Sequence, residues 1–433
     1  MKTPSPGGPP RKPRRRWRWH VPPALLHGAE TLEGAEILEE VTGAVGLLLW
    51  QATRDVGLWS RVPPEERASL FAPGAHERQA RALEAAGLDA ALYAPLQVIA
   101  GVLRDPEGTR EEDVLAACRQ VSQYYEERDL LGTAIAFATA AALATPANAA
   151  MGYRVGLIAR KKAEYARAET WFRRTIGLGR QAKDWASYAE AFLGLGNLYI
   201  QRGNYPAARR FHIRALRAAR RHGMRDIQGR ALHDLFVIGV DSGGSMESLE
   251  YARGAFRAYG STHPRLPALA HDIAFFWMTR GRFAPALTVF QAMLPHLKQP
   301  SEQLMGWGNV ARAAGGAGDR TVFDEAWDRS WSMAHENDSG LHAPQALLDL
   351  AHGATSLSDW SRAERAAEAA RGLAERREEN RVALAAEAVL DAVARRKGVE
   401  LEARPPEGDE AEATEVLAAD LVRSLRETAS AAA

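Results

Sequence analysis

Twelve histidines, one cysteine and 54 carboxylates are the side chains here that could ligate a metal, attack a carbonyl or pass a proton. A zinc-binding helix of the protease kind needs H-E-x-x-H, and the sequence has none. His335, His342 and His352 lie too far apart for one helical face to present them together. Cys118 sits in VLAACRQV, a helical pattern with no evident histidine partner, where a thiol packs rather than attacks. Two glycine motifs look like phosphate cradles: GLGNLY from Gly194, and GGAGDR from Gly315 to Arg320. A cradle must follow a strand and open a helix, whereas GGAGDR closes one, so both motifs predict packing and turns. No catalytic residue, metal or cofactor is expected.

Charge offers a second kind of chemistry. Lys+Arg 55 against Asp+Glu 54 leaves a formal net charge of +1, which excludes a chain that is basic throughout. The cations are nevertheless unevenly placed. From Arg154 to Arg230, eighteen Lys/Arg face five Asp/Glu, a local balance of +13; Arg371 to Ala433 carries ten basic and fourteen acidic residues, or −4. Arg210, Arg214, Arg217 and Arg221 recur at three and four residues, which predicts one basic stripe on a helix from Pro206 to His222. Such a stripe attracts an acidic patch or a phosphate backbone, or is merely a solvated face. Residues 1–28 carry seven basic side chains and no acid among prolines and glycines, and predict a disordered tail. Trp17 and Trp19 alternate there with arginines, a pattern suited to nucleic acid, an acidic membrane surface or an acidic protein, unless the tail only aids solubility.

Helices must position whatever this chain uses. Alanine, leucine, arginine and glutamate dominate from Glu30 onward and period-2 alternation is absent, so the fold class is all-α. The longest apolar run, Val41 to Trp50, is far short of the ~18 residues of a membrane span. One cysteine and no secretory h-region behind the basic start predict a cytoplasmic protein. Composition shifts predict a tail at 1–28, a helical segment at 29–146, and a repeat array at 147–376. A capping helix at 377–398 and an acidic linker with a short helix at 399–433 would follow.

The repeat is clearest in LGNLYIQRGNYPAARRFHIRAL, Leu195 to Leu216. Gly196 and Ala208 remove bulk where two antiparallel helices approach, and Tyr199 and Tyr205 fill the wedge between them. Gly156, Tyr165, Ala168 and Phe172 repeat the pattern upstream, and Gly281, Phe283, Ala286 and Phe290 repeat it downstream. A degenerate unit spans Leu232 to Tyr259, and two more follow around Gly308 and Ala351, six in all. Trp171, Trp277, Trp327 and Trp360 fall at or near core positions of these units. Arg110 to Ala144 predicts two further helices, a possible eroded unit.

This spacing resembles the tetratricopeptide repeat, with units near 40 residues as in bacterial regulatory and adaptor members. The resemblance implies a right-handed α-α superhelix whose first helices line a groove for a partner polypeptide. Carried over by position, the groove residues would be Tyr153, Leu157, Arg160 and Lys161, then Glu190, Leu193, Asn197 and Gln201. His233, His271, Phe275, Met305, Asn309 and Arg312 would continue it. Asn197 and Asn309 hold the positions from which asparagine can bind a ligand's main chain. The resemblance thus implies a non-catalytic scaffold with a protein or peptide partner. The alternative is a nucleic-acid-associated or signalling regulator that uses the tail and the arginine stripe, and a hidden enzyme would need a polar pocket among the N-terminal helices.

Overall fold

The computed structural model describes residues 34–241, 246–336, 342–397 and 409–432. The basic tail at 1–28 and most of the linker before residue 409 lie outside them. The described residues are helical, without a strand, and divide into two compact units between His222 and Gly223.

The first unit contains α1 (Ala35–Glu40), α2 (Gly43–Arg61), α3 (Ala75–Ala85), α4 (Ala90–Arg104), α5 (Glu111–Glu126) and α6 (Leu131–Ala144). Then come α7 (Ala149–Lys161), α8 (Tyr165–Ala182), α9 (Trp185–Gln201) and α10 (Tyr205–Arg221). Helices α5 and α6, α7 and α8, and α9 and α10 pack as pairs, so the stretch from Arg110 to Ala144 forms a pair ahead of the clear repeats. Apolar residues bury one continuous core from Ile37 through Leu198, with Trp59, Phe137 and Phe172 among its largest members. Helix starts are set locally. Asp89, Asn148, Asp184 and Asn204 each accept the backbone N–H three residues on, satisfying donors that a helix leaves unpaired.

The second unit contains α11 (Arg225–Asp241), α12 (Met246–Tyr259), α13 (Leu266–Thr279), α14 (Phe283–Met293), α15 (Pro300–Ala317) and α16 (Arg320–Glu336). It ends with α17 (Ala343–Ser356), α18 (Trp360–Arg376), α19 (Asn380–Ala394) and α20 (Asp409–Ala432). Pairs again form in order from α11 with α12 to α17 with α18, so six pairs fill 149–376 and each unit is built as an α-α solenoid.

Small residues set how closely these rods approach. A Cβ on Gly156 would lie 2.8 Å from the Phe172 ring, and one on Gly196 would lie 2.2 Å from His212 Nε2. The partner of Gly196 is therefore the wholly buried His212 of α10, one turn beyond Ala208. The α11–α12 pair keeps the device with other residues: Gly229 faces Tyr259, and Gly239 faces Ser248. GGAGDR divides its work. Gly318 caps α15 in the left-handed region at φ +79°, while Gly315 lies against the backbone of Gly353. The last helix is longer than the short one expected within 399–433, running over Asp409–Ala432. It packs on α14 and α13 through Leu417, Leu421 and Leu425, with Arg282 bonded to Glu415 at 2.7 Å.

Candidate functional site

In the second unit the first helices of four successive pairs, α11, α13, α15 and α17, share a row of polar side chains. His233 Nε2 on α11 lies 2.8 Å from Asp272 Oδ2 on α13, and His271 Nδ1 lies 3.0 Å from Asp272 Oδ1. Asn309 Nδ2 on α15 reaches His271 Nε2 at 3.1 Å. Further along, Arg312 donates to Asp349 Oδ1 on α17 at 3.0 Å, and Gln345 donates to the same oxygen at 3.3 Å. The α15–α17 contact is close because Gly308, Gly315 and Gly353 carry no side chain where the two backbones meet. That closeness brings Asp349, 1% exposed, beneath Arg312.

The row is electrostatically asymmetric. Burial would raise Asp272, but hydrogen bonds from His233 and His271 outweigh it and hold the carboxyl at about 2. Its side chain is 37% exposed, so the row presents one fixed negative charge to solvent. Burial pushes Asp349 up against the pull of Arg312. Burial and then the Arg312 cation push His352 down to about 3, so this imidazole is neutral near pH 7.

The predicted groove residues of this unit fall into two kinds. His233, His271, Asn309 and Arg312 are tied to one another or to acids of the row, and Asn309 is only 1% exposed, so its amide orients His271. Phe275 and Met305 are half-buried beside them, with the His271 and Phe275 rings stacked at 6.2 Å. Sequence reasoning missed Asp272, Gln345, Asp349 and His352. The signal was present: the inter-helix bonds join residues 39, 38 and 37 apart, about one repeat each time.

In the first unit Tyr153 packs at 5.8 Å from Phe172, Leu157, Glu190 and Asn197 are half-buried, and Gln201 is exposed. Leu193 is 1% exposed and packs in the interior. Glu126 on α5, unforeseen from the sequence, bonds both Arg154 and Lys161. Arg160, half-buried, has no carboxylate partner among the described residues.

The four arginines of the expected stripe, Arg210, Arg214, Arg217 and Arg221, are all exposed on α10. Arg214 lies over the Phe192 and Phe211 rings at 5.9 and 5.8 Å. Elsewhere a cleft of about 800 Å³ opens among α3, α4 and the start of α5. Its polar groups largely engage one another: Gln97 donates to Tyr93, Arg110 grips Asp113 through two bonds, and Asp105 accepts from the Gly108 N–H. Cys118 is wholly buried, and burial pushes its thiol up to about 12, far from a thiolate at neutral pH. No group of metal-ligating side chains occurs among the described residues, and no described helix is long and apolar enough to cross a membrane.

Residues 147–221, covering α7 to α10, match the tetratricopeptide repeat family model. No curated protein matches the chain in sequence. Among solved structures, PilF of Pseudomonas aeruginosa is similar at 14% identity, covering 54% of this chain and 97% of that one with a TM-score of 0.42. The Rap conjugation gene regulator of plasmid pLS20, solved with the Phr* peptide, is 12% identical and covers 81% of this chain and 98% of that one at a TM-score of 0.43. Aspartyl phosphate phosphatase F of Bacillus subtilis is 11% identical, covering 85% and 98% at a TM-score of 0.40. At such identities the likeness is one of helical fold alone. The identification therefore rests on residues 147–221, whose two helix pairs, with Gly156 against Phe172 and Gly196 against His212, are tetratricopeptide repeats.

Proposed function

We propose that this chain is a non-catalytic scaffold that holds a partner polypeptide along its first helices. The observation that supports this reading best is the polar row from His233 to Asp349, drawn from four successive first helices and flanked by half-buried Phe275 and Met305. A row stepping once per repeat suits an extended or helical segment, which also offers groups at regular intervals. Asp272 supplies a fixed negative charge for a cationic side chain, and Phe275 and Met305 supply apolar contact, so the segment is amphipathic. Taken by itself, the first unit offers Arg160 and Asn197 on its own first helices, with Arg160 free to meet a carboxylate or a main-chain carbonyl.

The test is selection of a displayed peptide library on the immobilised full chain, followed by anisotropy titration of the enriched peptides. Phe275→Ala with Met305→Ala should weaken peptides enriched on the second unit, and Arg160→Ala with Asn197→Ala those enriched on the first, at least tenfold each while helical circular dichroism is unchanged. Peptides that bind all three proteins equally would refute the assignment of the surface. The basic face of α10 is a separate surface and favours a second reading, contact with nucleic acid.

A further inference from the structure

Most arginines of the first unit that lie near an acid are paired with it: Arg110 with Asp113, Arg154 with Glu126, Arg167 with Glu164, and Arg173 and Arg202 with Glu169. Helix α10 departs from this. Among the described residues no carboxylate pairs with Arg210, Arg214, Arg217 or Arg221, nor with Arg220 beside them. All five are exposed. Steps of three and four residues put neighbouring stripe side chains about 5–6 Å apart on one face. The stripe from Arg210 to Arg221 runs about 16 Å at 1.5 Å per residue. Holding like charges this close without counter-charge raises the local potential, and the α10 sequence contains no acid to offset it.

Two polyanions would complement such a face, an acidic protein helix and a phosphate backbone, and the surface distinguishes them. A stable protein contact needs a desolvated apolar centre ringed by polar groups. The exposed large hydrophobics of the described residues are Leu38, Leu47, Leu58, Val98, Leu384 and Val416, none of them on α10. The inward face of α10 is already used, since Ala208, His212, Ala215 and Ala219 are wholly buried. A phosphate backbone asks for nothing apolar. Duplex DNA carries one charge per about 1.7 Å of axis, so a 16 Å stripe meets several phosphates, and guanidinium forks match phosphate oxygens two at a time. We infer that the arginine face of α10 is a sequence-independent docking surface for the phosphate backbone of nucleic acid.

The experiment uses the full chain and the variant Arg210→Gln, Arg214→Gln, Arg217→Gln, Arg221→Gln, whose exposed substitutions leave the α10 packing face untouched. Labelled oligonucleotides of mixed sequence, one a duplex and one a single strand, are titrated by anisotropy between 50 and about 300 mM salt. The basic N-terminal segment is common to both proteins and cancels in the difference. For whichever form binds, the variant should lose at least tenfold in affinity at about 100 mM salt, and its log–log salt slope should flatten by about three to four. Equal slopes for the two proteins, no binding at the lowest salt, or an oligoglutamate of equal charge binding as tightly as the oligonucleotide would each overturn the assignment.

Discussion

Asn309 directs its side-chain amide nitrogen to His271 Nε2 at 3.1 Å, and that contact selects the tautomer of His271. An amide nitrogen only donates, so Nε2 must accept and Nδ1 must carry the proton toward Asp272 at 3.0 Å. Asp272 then accepts from both imidazoles, His233 on one oxygen and His271 on the other. Asn309→Leu should release His271 while keeping the volume filled. In NMR spectra the His271 ring nitrogens should shift from a single Nδ1-protonated tautomer toward a mixture, whereas an unchanged tautomer would show that Asp272 alone sets it.

Breaking the buried pair on one side should cost more than removing it. Arg312→Met leaves Asp349, 1% exposed, with only Gln345 to compensate it, a loss of about 3–5 kcal/mol by analogy with other buried pairs. Arg312→Met with Asp349→Leu should recover most of that loss. Chemical denaturation of the three proteins checks the order. A double variant less stable than the single one would mean that the row stabilises the α15–α17 contact through more than this pair.

The pH dependence follows from His352. Its folded value of about 3 lies below the ordinary 6.5, so the unfolded chain binds this proton first as pH falls. Stability from this group is complete above about 6.5 and is lost progressively toward 3. Between pH 6.5 and 5 the loss is at most about 2 kcal/mol, from 1.4 kcal/mol per pH unit for one proton. Thermal unfolding at both pH values should show this slope in the wild type, and His352→Gln should flatten it.

Packing glycines should separate cleanly by what a methyl group would meet. On Gly315 it would lie 2.3 Å from the Gly353 carbonyl oxygen, and backbone cannot swing aside, so Gly315→Ala should cost about 2–3 kcal/mol. On Gly101, inside α4, it would meet nothing within 4 Å, so Gly101→Ala should stabilise by about 0.5–1 kcal/mol. Midpoints of urea unfolding measure both. Equal effects at the two sites would remove the close-approach account of α15 and α17.

One turn carries removable strain. Ala163, between α7 and α8, sits at φ +61°, where Gly203 of the next pair sits at φ +69° without a Cβ. Ala163→Gly should relieve about 1 kcal/mol of left-handed strain, less the greater flexibility that glycine adds to the unfolded chain. A fall in thermal midpoint would indicate that the second effect wins.

Much of the fold could be read without coordinates because it rests on local periodic rules. Gly156, Gly196 and Gly308 predicted where helices meet, and the six pairs follow from that recurrence. The exposure of Arg210, Arg214, Arg217 and Arg221 followed equally, since helical spacing alone puts them opposite Ala208, Ala215 and Ala219. The partners across helices were another matter. Asp272, Asp349 and Glu126 acquire their roles only when separate first helices lie side by side, and which oxygen meets which nitrogen depends on axial offsets of a few ångströms that composition does not encode. The amino-acid order therefore dictated rods, caps and contact seams, each an effect of neighbours along the chain. Tertiary packing chose the row from His233 to Asp349, because hydrogen bonds between residues nearly forty positions apart exist only at the distance and angle that the assembled stack imposes.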